Sequence, residues 1–219
     1  MRIIDCQQRS EEWDNWRHRP TASGFHEFIT PARGDYSKQA GAYAAKIVAK
    51  RLRVYQEPPP SFWMDWGTDM EPNAKYAYTH QTGREVQDVG FILPDGTDAY
   101  GGSPDGLVGD DGLIEIKCPK PETLINYHAA GVLPAQYKPQ VQGLLLISGR
   151  PWCDFFVYHP ELTPFLLRVE ADEAYQVKIA THLLTLLEEI ERIETSVKRC
   201  EHHLVSLPTT RDNVRFDDE

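Results

Sequence analysis

The 219-residue sequence predicts a mixed α/β (α+β) fold, with a central mixed β-sheet flanked by helices. Apolar residues at helical spacing occupy both ends of the chain, and short apolar runs bounded by Gly, Pro and Asp occupy its middle. Hydrophobic residues make up 41% of the chain and charged residues 26%, which is typical of a globular protein and excludes a disordered one. We expect one domain over residues 1–206 and a polar, flexible tail over residues 207–219.

Helix signals come first along the chain. Ser10 followed by two glutamates is a typical helix start, and that helix should end before Pro20, since the residue preceding a proline disfavours the helical conformation. Gly83 is suited to end a later helix in a left-handed conformation. The helices predicted in this part of the chain cover residues 10–19, 21–29, 36–53 and 66–81.

The middle of the chain predicts the sheet, and its end predicts a long helix. A strand is predicted over residues 113–118, directly after a turn signal at residues 109–112. A final helix should start near Asp172, because apolar residues recur at spacings of three and four from Tyr175 to Val197. The other predicted elements are strands over residues 85–93, 99–102, 152–158 and 164–169, and helices over residues 122–130 and 134–148.

Charge is distributed unevenly along the chain. The net charge is −10, which at first sight disfavours a nucleic-acid partner. However, residues 61–120 carry a net charge of −7, whereas residues 1–60 carry a net charge of +3. The acidic stretch is either a solvated face or a set of carboxylates around a metal ion. The basic stretch is the part that we expect to meet a nucleic-acid backbone.

One group of residues within the acidic stretch could carry chemistry. Asp105 precedes the glycine-rich turn, and Glu115 and Lys117 stand on the strand that follows it. Residues two apart in a strand point to the same face, and the turn folds the second strand back beside the first. Asp105 is therefore predicted to lie close to Glu115 and Lys117.

Two carboxylates beside one ammonium group suit phosphodiester hydrolysis. Carboxylate oxygens are ligands that Mg²⁺ prefers, and the bound ion polarises a phosphate oxygen. A lysine can act on the attacking water and offset the developing negative charge. Clustered carboxylates without such a cation are unfavourable. The alternative is a plain hairpin with an exposed Glu–Lys pair and an aspartate in a turn.

Four segments of the chain together resemble a known family. In order and spacing they are similar to the phage lambda exonuclease (YqaJ-like) family of viral recombination nucleases, part of the PD-(D/E)xK nuclease superfamily. The resemblance covers roughly residues 10–197 and implies a core like that of restriction endonucleases. The segments are Trp13-x-x-Trp16-Arg17 with Thr21-Ala22-Ser23, Trp66-Gly67-x-x-x-Glu71, Ser103-Pro104-Asp105-Gly106-Leu107 with Glu115-Ile116-Lys117-Cys118-Pro119, and Gln140-Val141-Gln142.

The resemblance implies a role for each catalytic position. Lys117 would act on the nucleophilic water. Glu71 would complete the acidic site, through a second metal ion or its waters, and Gln140 would orient the site. Two carboxylates and a backbone carbonyl would hold Mg²⁺, for which Mn²⁺ would substitute: Asp105, Glu115 and Ile116.

The resemblance also implies contacts with the DNA end. Met64 would wedge open the duplex, and a separate pocket would hold a terminal 5′-phosphate. The family has an arginine in that pocket where this chain has Thr123, and Lys120 is the nearest substitute. Pro139, immediately before the matched glutamine, is a second departure, and it should start or kink the helix there. The residues expected to line the pocket are Arg17, Thr21, Ser23, Ser103 and Lys120.

By the same resemblance, the chain is expected to be an alkaline-type deoxyribonuclease. It would be a Mg²⁺-dependent 5′→3′ exonuclease that digests one strand of linear double-stranded DNA to 5′-mononucleotides. The remaining 3′ single strand would serve phage-type recombination by strand annealing. The implied partners are double-stranded DNA ends, two further copies of the chain in a homotrimeric ring, and a single-strand annealing protein.

Two other interpretations stay open at the level of the sequence. The chain could be another nuclease of the superfamily, either an endonuclease or a RecB-like exonuclease, although its scattered cysteines disfavour an iron–sulfur form. It could instead be a catalytically inactive protein that binds DNA ends. The intact residues Asp105, Glu115 and Lys117 disfavour that second interpretation.

The sequence also predicts a compartment. No apolar run approaches the roughly 20 residues that span a membrane, and the first residues lack the apolar segment of a signal peptide. None of the four cysteines forms a CxxC pair, so we expect free thiols. The prediction is a cytoplasmic protein, and the resemblance implies that it acts in a bacterial host and is encoded by a phage or prophage.

Overall fold

Seven strands and seven helices form within residues 1–204, the part of the chain that the computed structural model describes, with side chains described up to residue 199. The predicted tail over residues 207–219 lies outside the described residues. None of the helices within residues 1–204 is both long and apolar enough to cross a membrane. In chain order the elements are β1 (Arg2–Ile4), α1 (Glu11–Trp16), α2 (Phe25–Phe28), α3 (Ala40–Arg51), α4 (Phe62–Thr82), β2 (Val86–Gln87), β3 (Phe91–Leu93), β4 (Gly106–Val108), β5 (Gly112–Lys117), α5 (Pro121–Ala130), α6 (Lys138–Ser148), β6 (Trp152–Val157), β7 (Phe165–Glu170) and α7 (Glu173–Leu204).

The centre of the molecule is a five-stranded mixed sheet with the strand order β2-β4-β5-β6-β7. β5 and β6 run parallel, and the other neighbouring strands run antiparallel. Parallel neighbours need a long crossover connection, and α5 and α6 supply it between β5 and β6. A mixed sheet flanked by helices is the architecture that the sequence predicts.

β4 and β5 form the hairpin that the turn signal predicts. Gly106 pairs with Ile114, and Gly109 in the turn adopts a φ of 56°, a left-handed conformation that glycine tolerates. Because of this register, Asp105, the residue before β4, lies beside the second half of β5.

Alternate side chains of β5 face two different cores. Leu113 belongs to the larger core, built with α2, α3, α6 and α7, whereas Ile114 and Ile116 belong to a smaller core against α4. The sheet therefore separates α4 on one face from α6 on the other. The apolar stripe of α7 is buried in the larger core, as its spacing predicts, at Tyr175, Ile179, Leu183, Leu186 and Ile190.

An ion pair in the smaller core fixes α4 against the sheet. Asp154, on β6, accepts two hydrogen bonds from the guanidinium of Arg168 on β7, each 2.9 Å long. The hydroxyl of Tyr78, on α4, donates to the same carboxylate over 2.7 Å. Because a buried charge is costly unless it is paired and hydrogen-bonded, this contact holds α4 at one position on the sheet.

The strand predicted over residues 85–93 is wrong in extent. The structure divides it: β2 joins the five-stranded sheet, while β3 pairs with β1 in a separate two-stranded sheet that the sequence did not predict. The chain turns at Gly90, where a Cβ atom would lie 2.0 Å from the carbonyl oxygen of Cys6. This close approach of two backbone segments interrupts the strand. The sequence does not indicate it, because Cys6 and Gly90 are far apart along the chain.

The strand predicted over residues 99–102 does not form. Gly101 makes an isolated bridge to Thr21, and Gly102 makes one to Ile92. The two glycines let different backbone segments approach from either side. The segment therefore changes partner after one residue, and no ladder develops.

α4 and α3 are two of the predicted helices whose starts differ from the prediction. α4 begins at Phe62 rather than at residue 66, because the hydroxyl of Ser61 caps the earlier turn. α3 begins at Ala40 rather than at residue 36, because Tyr36 pairs with Ile29 in an isolated bridge. In both places a local hydrogen bond, and not the apolar spacing, sets the boundary.

Replacing the fully buried Leu113 by alanine should lower the free energy of unfolding by about 2–5 kcal/mol, because it opens a cavity in the larger core. Leu184→Ala is the matched control, since that leucine is 65% exposed and its loss should change stability by less than about 0.5 kcal/mol. Urea unfolding followed by circular dichroism measures both values. Equal losses in the two variants would contradict the assignment of β5 to the centre of the fold.

Candidate active site

The hairpin brings Asp105, Glu115 and Lys117 together. The backbone N–H of Ile116 donates to Asp105 Oδ2 over 2.6 Å, so the aspartate is held beside β5 by a main-chain hydrogen bond. Lys117 Nζ lies 2.5 Å from Glu115 Oε1. The period-two spacing of the strand thus places the lysine and the glutamate on one face, as the sequence predicts.

Glu115 is the most deeply buried of the three residues, with 1% of its surface exposed. Its Oε1 atom accepts hydrogen bonds from Lys117 and, over 2.6 Å, from Gln140 Nε2 on α6. Its Oε2 atom is buried and has no hydrogen-bond partner. A buried carboxylate oxygen without a partner is unfavourable, so this atom is a ready ligand for a cation.

Electrostatics in the site favour an added positive charge. Burial raises the pKa of the Asp105 carboxyl to about 8, and the negative charge of Glu115 adds to the shift, while Lys117 opposes it. Burial alone would lower the pKa of Lys117, but the charges of Glu115 and Asp105 outweigh it and raise that pKa. Both shifts come from two carboxylates crowded together in a buried site, and a further cation beside them would relieve that repulsion.

Glu71, on α4, lies in the same cleft but has its own cationic partners. Its Oε2 atom is 2.9 Å from Arg9, and its Oε1 atom is 3.0 Å from Lys75 Nζ. The cleft has a volume of about 470 Å³, and Asp105 and Lys117 line it as well. The structure thus brings Glu71 and Asp105 into one cleft, with Glu115 buried next to Asp105, and leaves Glu71 ion-paired.

The residues present fit a hard divalent ion such as Mg²⁺. Within the described part of the chain, no three Asp, Glu, His or Cys side chains gather into a metal-binding cluster. Mg²⁺ does not require such a cluster, because it keeps several waters and is commonly bound by one or two carboxylates. Asp105 and the free oxygen of Glu115 supply two such ligands.

Three of the five residues predicted to bind a terminal phosphate line one pocket of about 150 Å³: Arg17, Thr21 and Ser23. The guanidinium of Arg17 stacks 4.3 Å above the ring of Trp13, and the hydroxyls of Thr21 and Ser23 are 3.2 Å apart. Ser23 stands in a 3₁₀ turn before the four-residue α2. The helix predicted over residues 21–29 is therefore a 3₁₀ turn followed by a single helical turn.

The other two residues, Ser103 and Lys120, do not line this pocket. The hydroxyl of Ser103 accepts from Trp13 Nε1 over 2.6 Å and donates to the carbonyl of Gly90 over 2.8 Å. Ser103 therefore links α1 to the strand segments that lead to the site. Lys120 Nζ lies 5.4 Å from the ring of Trp63, a residue of the active-site cleft.

Exposed apolar side chains stand at the start of α4, beside the cleft. Met64 is 63% exposed and lines the cleft. Its neighbours Phe62 and Trp63 are also exposed, with their rings packed edge to face. The predicted wedge residue thus belongs to a three-residue apolar group at the mouth of the site.

The start of α6 accommodates the proline before Gln140. α6 begins at Lys138, so Pro139 lies in the first turn, where a backbone N–H has no partner within the helix. The proline therefore starts the helix and does not kink it. Gln142, two residues further on, is buried and donates to the carbonyl of Glu170, so it joins α6 to the strand before α7.

Sequence reasoning missed three residues in or beside the cleft. Arg9 and Lys75 hold Glu71, and the ring of Tyr137 lies 5.2 Å from Lys117 Nζ. The i, i+4 spacing of Glu71 and Lys75 on one helix is a signal that could have revealed that pair. No comparable signal marks Arg9 or Tyr137.

Comparison with known proteins settles the family. The model of the YqaJ-like viral recombinase domain matches residues 12–151, well over half of the chain. The chain belongs to the YqaJ-like viral recombinase family. The five predicted catalytic residues all lie inside the matched range, whereas Arg9 lies outside it.

Solved structures agree with this membership of the YqaJ-like family. An alkaline exonuclease, LHK-Exo, from Laribacter hongkongensis has 36% sequence identity and a TM-score of 0.80, over 89% of this chain and 100% of that one. LHK-Exo in complex with dAMP matches over the same shares, with 35% identity and a TM-score of 0.80. A phage-related exonuclease from Haemophilus somnus 129PT shares the fold at 13% identity, with a TM-score of 0.66 over 84% of this chain and 99% of that one. A search of curated proteins finds no match.

The raised pKa of Asp105 predicts how stability depends on pH in the metal-free YqaJ-family protein. From about pH 4 to about pH 8 the folded state binds more protons at Asp105 than the unfolded state does, so stability falls as the pH rises through this window. Asp105→Asn should remove this pH-dependent loss of stability. In EDTA, the variant should exceed the wild type by at least about 1 kcal/mol at pH 8 and equal it at pH 4.

Urea unfolding at the two pH values measures this difference. The introduced asparagine does not titrate, and its carbonyl oxygen can still accept the hydrogen bond from the backbone N–H of Ile116, so the main-chain contact is kept. A variant less stable than the wild type at pH 8 would show that the carboxylates do not repel each other in the folded state.

Proposed function

We propose that this YqaJ-family protein is a Mg²⁺-dependent 5′→3′ exonuclease that digests one strand of linear double-stranded DNA from its ends. The observation that carries the proposal is the unpartnered Oε2 atom of Glu115, buried next to Asp105 and Lys117, two residues that line the cleft. The 36% identity to an alkaline exonuclease over the whole length of that protein supports it.

Asp105, Glu115 and the backbone carbonyl of Ile116 would hold the metal ion. A bound Mg²⁺ supplies Lewis acidity at a phosphate oxygen, and Mn²⁺ should substitute for it. Gln140 fixes Glu115 by a hydrogen bond to its other oxygen, which would leave the free oxygen available to the ion. Pre-organised ligands of this kind are what a metal-dependent hydrolase requires.

Lys117 orients the attacking water and stabilises negative charge as it develops on the phosphate. In the metal-free site the charges of Glu115 and Asp105 raise the pKa of Lys117, which favours its ammonium form. A charged lysine donates hydrogen bonds and has no lone pair to accept a proton. We therefore assign Lys117 an electrostatic and orienting role, and leave the proton of the water to solvent or to the leaving group.

The pocket of Arg17, Thr21 and Ser23 is our candidate for the terminal 5′-phosphate. A guanidinium beside two hydroxyls suits a phosphate dianion, and no described ion pair engages Arg17. Met64, with Phe62 and Trp63, would separate the strands at the mouth of the cleft. These contacts would fix the direction of digestion, with 5′-mononucleotides as products, and the structure of LHK-Exo with dAMP supports a nucleotide-sized product site.

The wider biological role follows from the family. We propose that the 3′ single strands serve phage-type recombination, together with a single-strand annealing protein, in the cytoplasm of a bacterial host. We also propose that three copies of the chain form a ring around the DNA. Enclosure of the duplex would let a protein with a net charge of −10 remain on DNA without a large basic surface.

Digestion of a 5′-labelled linear duplex tests the proposed activity. With Mg²⁺ the wild type should release labelled mononucleotide, while EDTA or Lys117→Ala should slow release at least about 1000-fold, since the charge of the lysine acts on the transition state. Lys198→Ala, on the exposed face of α7, is the matched control and should digest at the wild-type rate.

The same assay separates the alternatives. A covalently closed circle should remain intact, because an exonuclease needs an end. Cleavage of the circle would identify an endonuclease, and binding of ends without release of label in either Mg²⁺ or Mn²⁺ would identify an inactive end-binding protein. Either result would overturn the proposal.

Arg17→Ala should remove the preference for phosphorylated ends. The wild type should digest a 5′-phosphorylated duplex about 10–100-fold faster than a 5′-hydroxyl duplex, because a charge-assisted bidentate contact is worth roughly 1.5–3 kcal/mol. In Arg17→Ala the two substrates should react at similar rates, whereas Arg33→Ala, an exposed arginine elsewhere, should keep the ratio. If the wild type digests both substrates at the same rate, the terminal phosphate does not bind in this pocket.

A further inference from the structure

Helix α3 forms part of the wall of the pocket that we assign to the terminal 5′-phosphate. Residues three, four and seven positions apart share one face of a helix. The residues of α3 that line the pocket have this spacing, and they join the segment that carries Arg17. They are Tyr43, Lys46, Ile47 and Lys50. One face of α3 is therefore turned to the pocket.

A group of three hydroxyls in the pocket carries more protons than its internal contacts use. The hydroxyls of Thr21 and Ser23 are 3.2 Å apart. Thr21 also contacts the hydroxyl of Tyr43 through its side chain and through its backbone N–H, which donates over 3.2 Å. No described hydrogen bond joins the three hydroxyls to an acceptor outside the group. Each hydroxyl has one proton, so the contacts within the group leave at least one proton for a ligand.

Tyr43 is the most deeply buried member of this group, with 3% of its surface exposed. Burial raises the pKa of its hydroxyl to about 12, so the hydroxyl keeps its proton at neutral pH and can donate it. A Cβ atom at Gly24 would lie 2.3 Å from the hydroxyl oxygen. The missing side chain at Gly24 therefore leaves the room that the hydroxyl of Tyr43 occupies beside the turn.

The charges around the pocket favour an anion. Four cationic side chains line it, against the single carboxylate of Glu27. Lys46 Nζ donates to Glu27 over 3.1 Å, which uses one of the three donors of the ammonium group. Without Lys46, Glu27 would be an uncompensated negative charge in the pocket and would repel a phosphate.

We propose that Tyr43 and Lys46, on the pocket-lining face of α3, bind the terminal 5′-phosphate together with Arg17. The inference rests on the proposed function, because it adds two ligands to the phosphate pocket assigned there. The hydroxyl of Tyr43 donates a hydrogen bond to a phosphate oxygen. The ammonium group of Lys46 attracts the phosphate dianion and compensates Glu27, which weakens the binding of an anion.

Binding of a short duplex in EDTA tests these contacts without cleavage. Fluorescence anisotropy gives the Kd for two duplexes that differ only in a 5′-phosphate or a 5′-hydroxyl, and the ratio of the two values is the phosphate preference. Tyr43→Phe, which keeps the ring stacked on Phe28, should lower this preference at least about five-fold, and so should Lys46→Met. A loss of folded protein affects both duplexes equally, so the ratio reports the phosphate contact alone.

Two matched controls remove the same groups elsewhere. Tyr76→Phe removes the hydroxyl of an exposed tyrosine on α4, and Lys38→Met removes an exposed ammonium group just before α3. Neither residue lines the pocket, so both variants should keep the wild-type preference. If Tyr43→Phe or Lys46→Met also keeps the wild-type preference, that residue does not bind the phosphate and the proposal is overturned.

Glu27→Gln should change the preference in the opposite direction. Removal of the only carboxylate that lines the pocket should raise the phosphate preference at least about two-fold. A purely structural role of the Lys46–Glu27 pair predicts a loss in both variants. A lower preference in Glu27→Gln would therefore reject Lys46 as a phosphate ligand.

Failure of the phosphate pocket gives a different result from failure of the role of α3. If the wild type shows no preference, or Arg17→Ala keeps it, the pocket itself is misplaced and both proposals fall. If Arg17→Ala loses the preference while Tyr43→Phe and Lys46→Met keep it, the pocket stands and only the contacts from α3 are wrong.

Discussion

The rest of the structure depends on one arrangement. Two carboxylates and one lysine lie side by side below the surface. Asp105 and Glu115 repel each other, and Lys117 alone compensates them. Such a cluster persists only if the surrounding fold is rigid enough to hold it. The hairpin fixes the separation of the two carboxylates, α6 holds Glu115 through Gln140, and the buried ion pair of Asp154 keeps α4 in place.

The distribution of cations explains how a protein with a net negative charge could bind DNA. Some cations of residues 1–60 are paired with carboxylates: Lys50 with Glu57, and Arg51 with Glu194. Arg17 is stacked on Trp13 without a described ion pair. Its pocket is also lined by Arg19, Lys46 and Lys50, so positive charge gathers there, and the acidic surface elsewhere should limit non-specific contacts.

The parts of the fold that depend on local pattern could be predicted from the sequence. The glycine-rich turn and period-two spacing predicted that Asp105, Glu115 and Lys117 meet, and the spacing of α7 predicted its buried stripe. The split of residues 85–93 between two sheets could not be predicted, because it results from the backbone of Cys6 packing on Gly90. The contact between Arg9 and Glu71 could not be predicted either. It depends on the backbone angle of Arg9 and joins residues that are 62 positions apart in the sequence.

Anomalous diffraction from crystals of the protein soaked in Mn²⁺ tests the central claim most directly. A strong peak should lie about 2.0–2.3 Å from a carboxylate oxygen of Asp105 and from Oε2 of Glu115. The absence of a peak at Glu115 Oε2 would contradict the account, because the unpartnered oxygen would then have no role as a ligand.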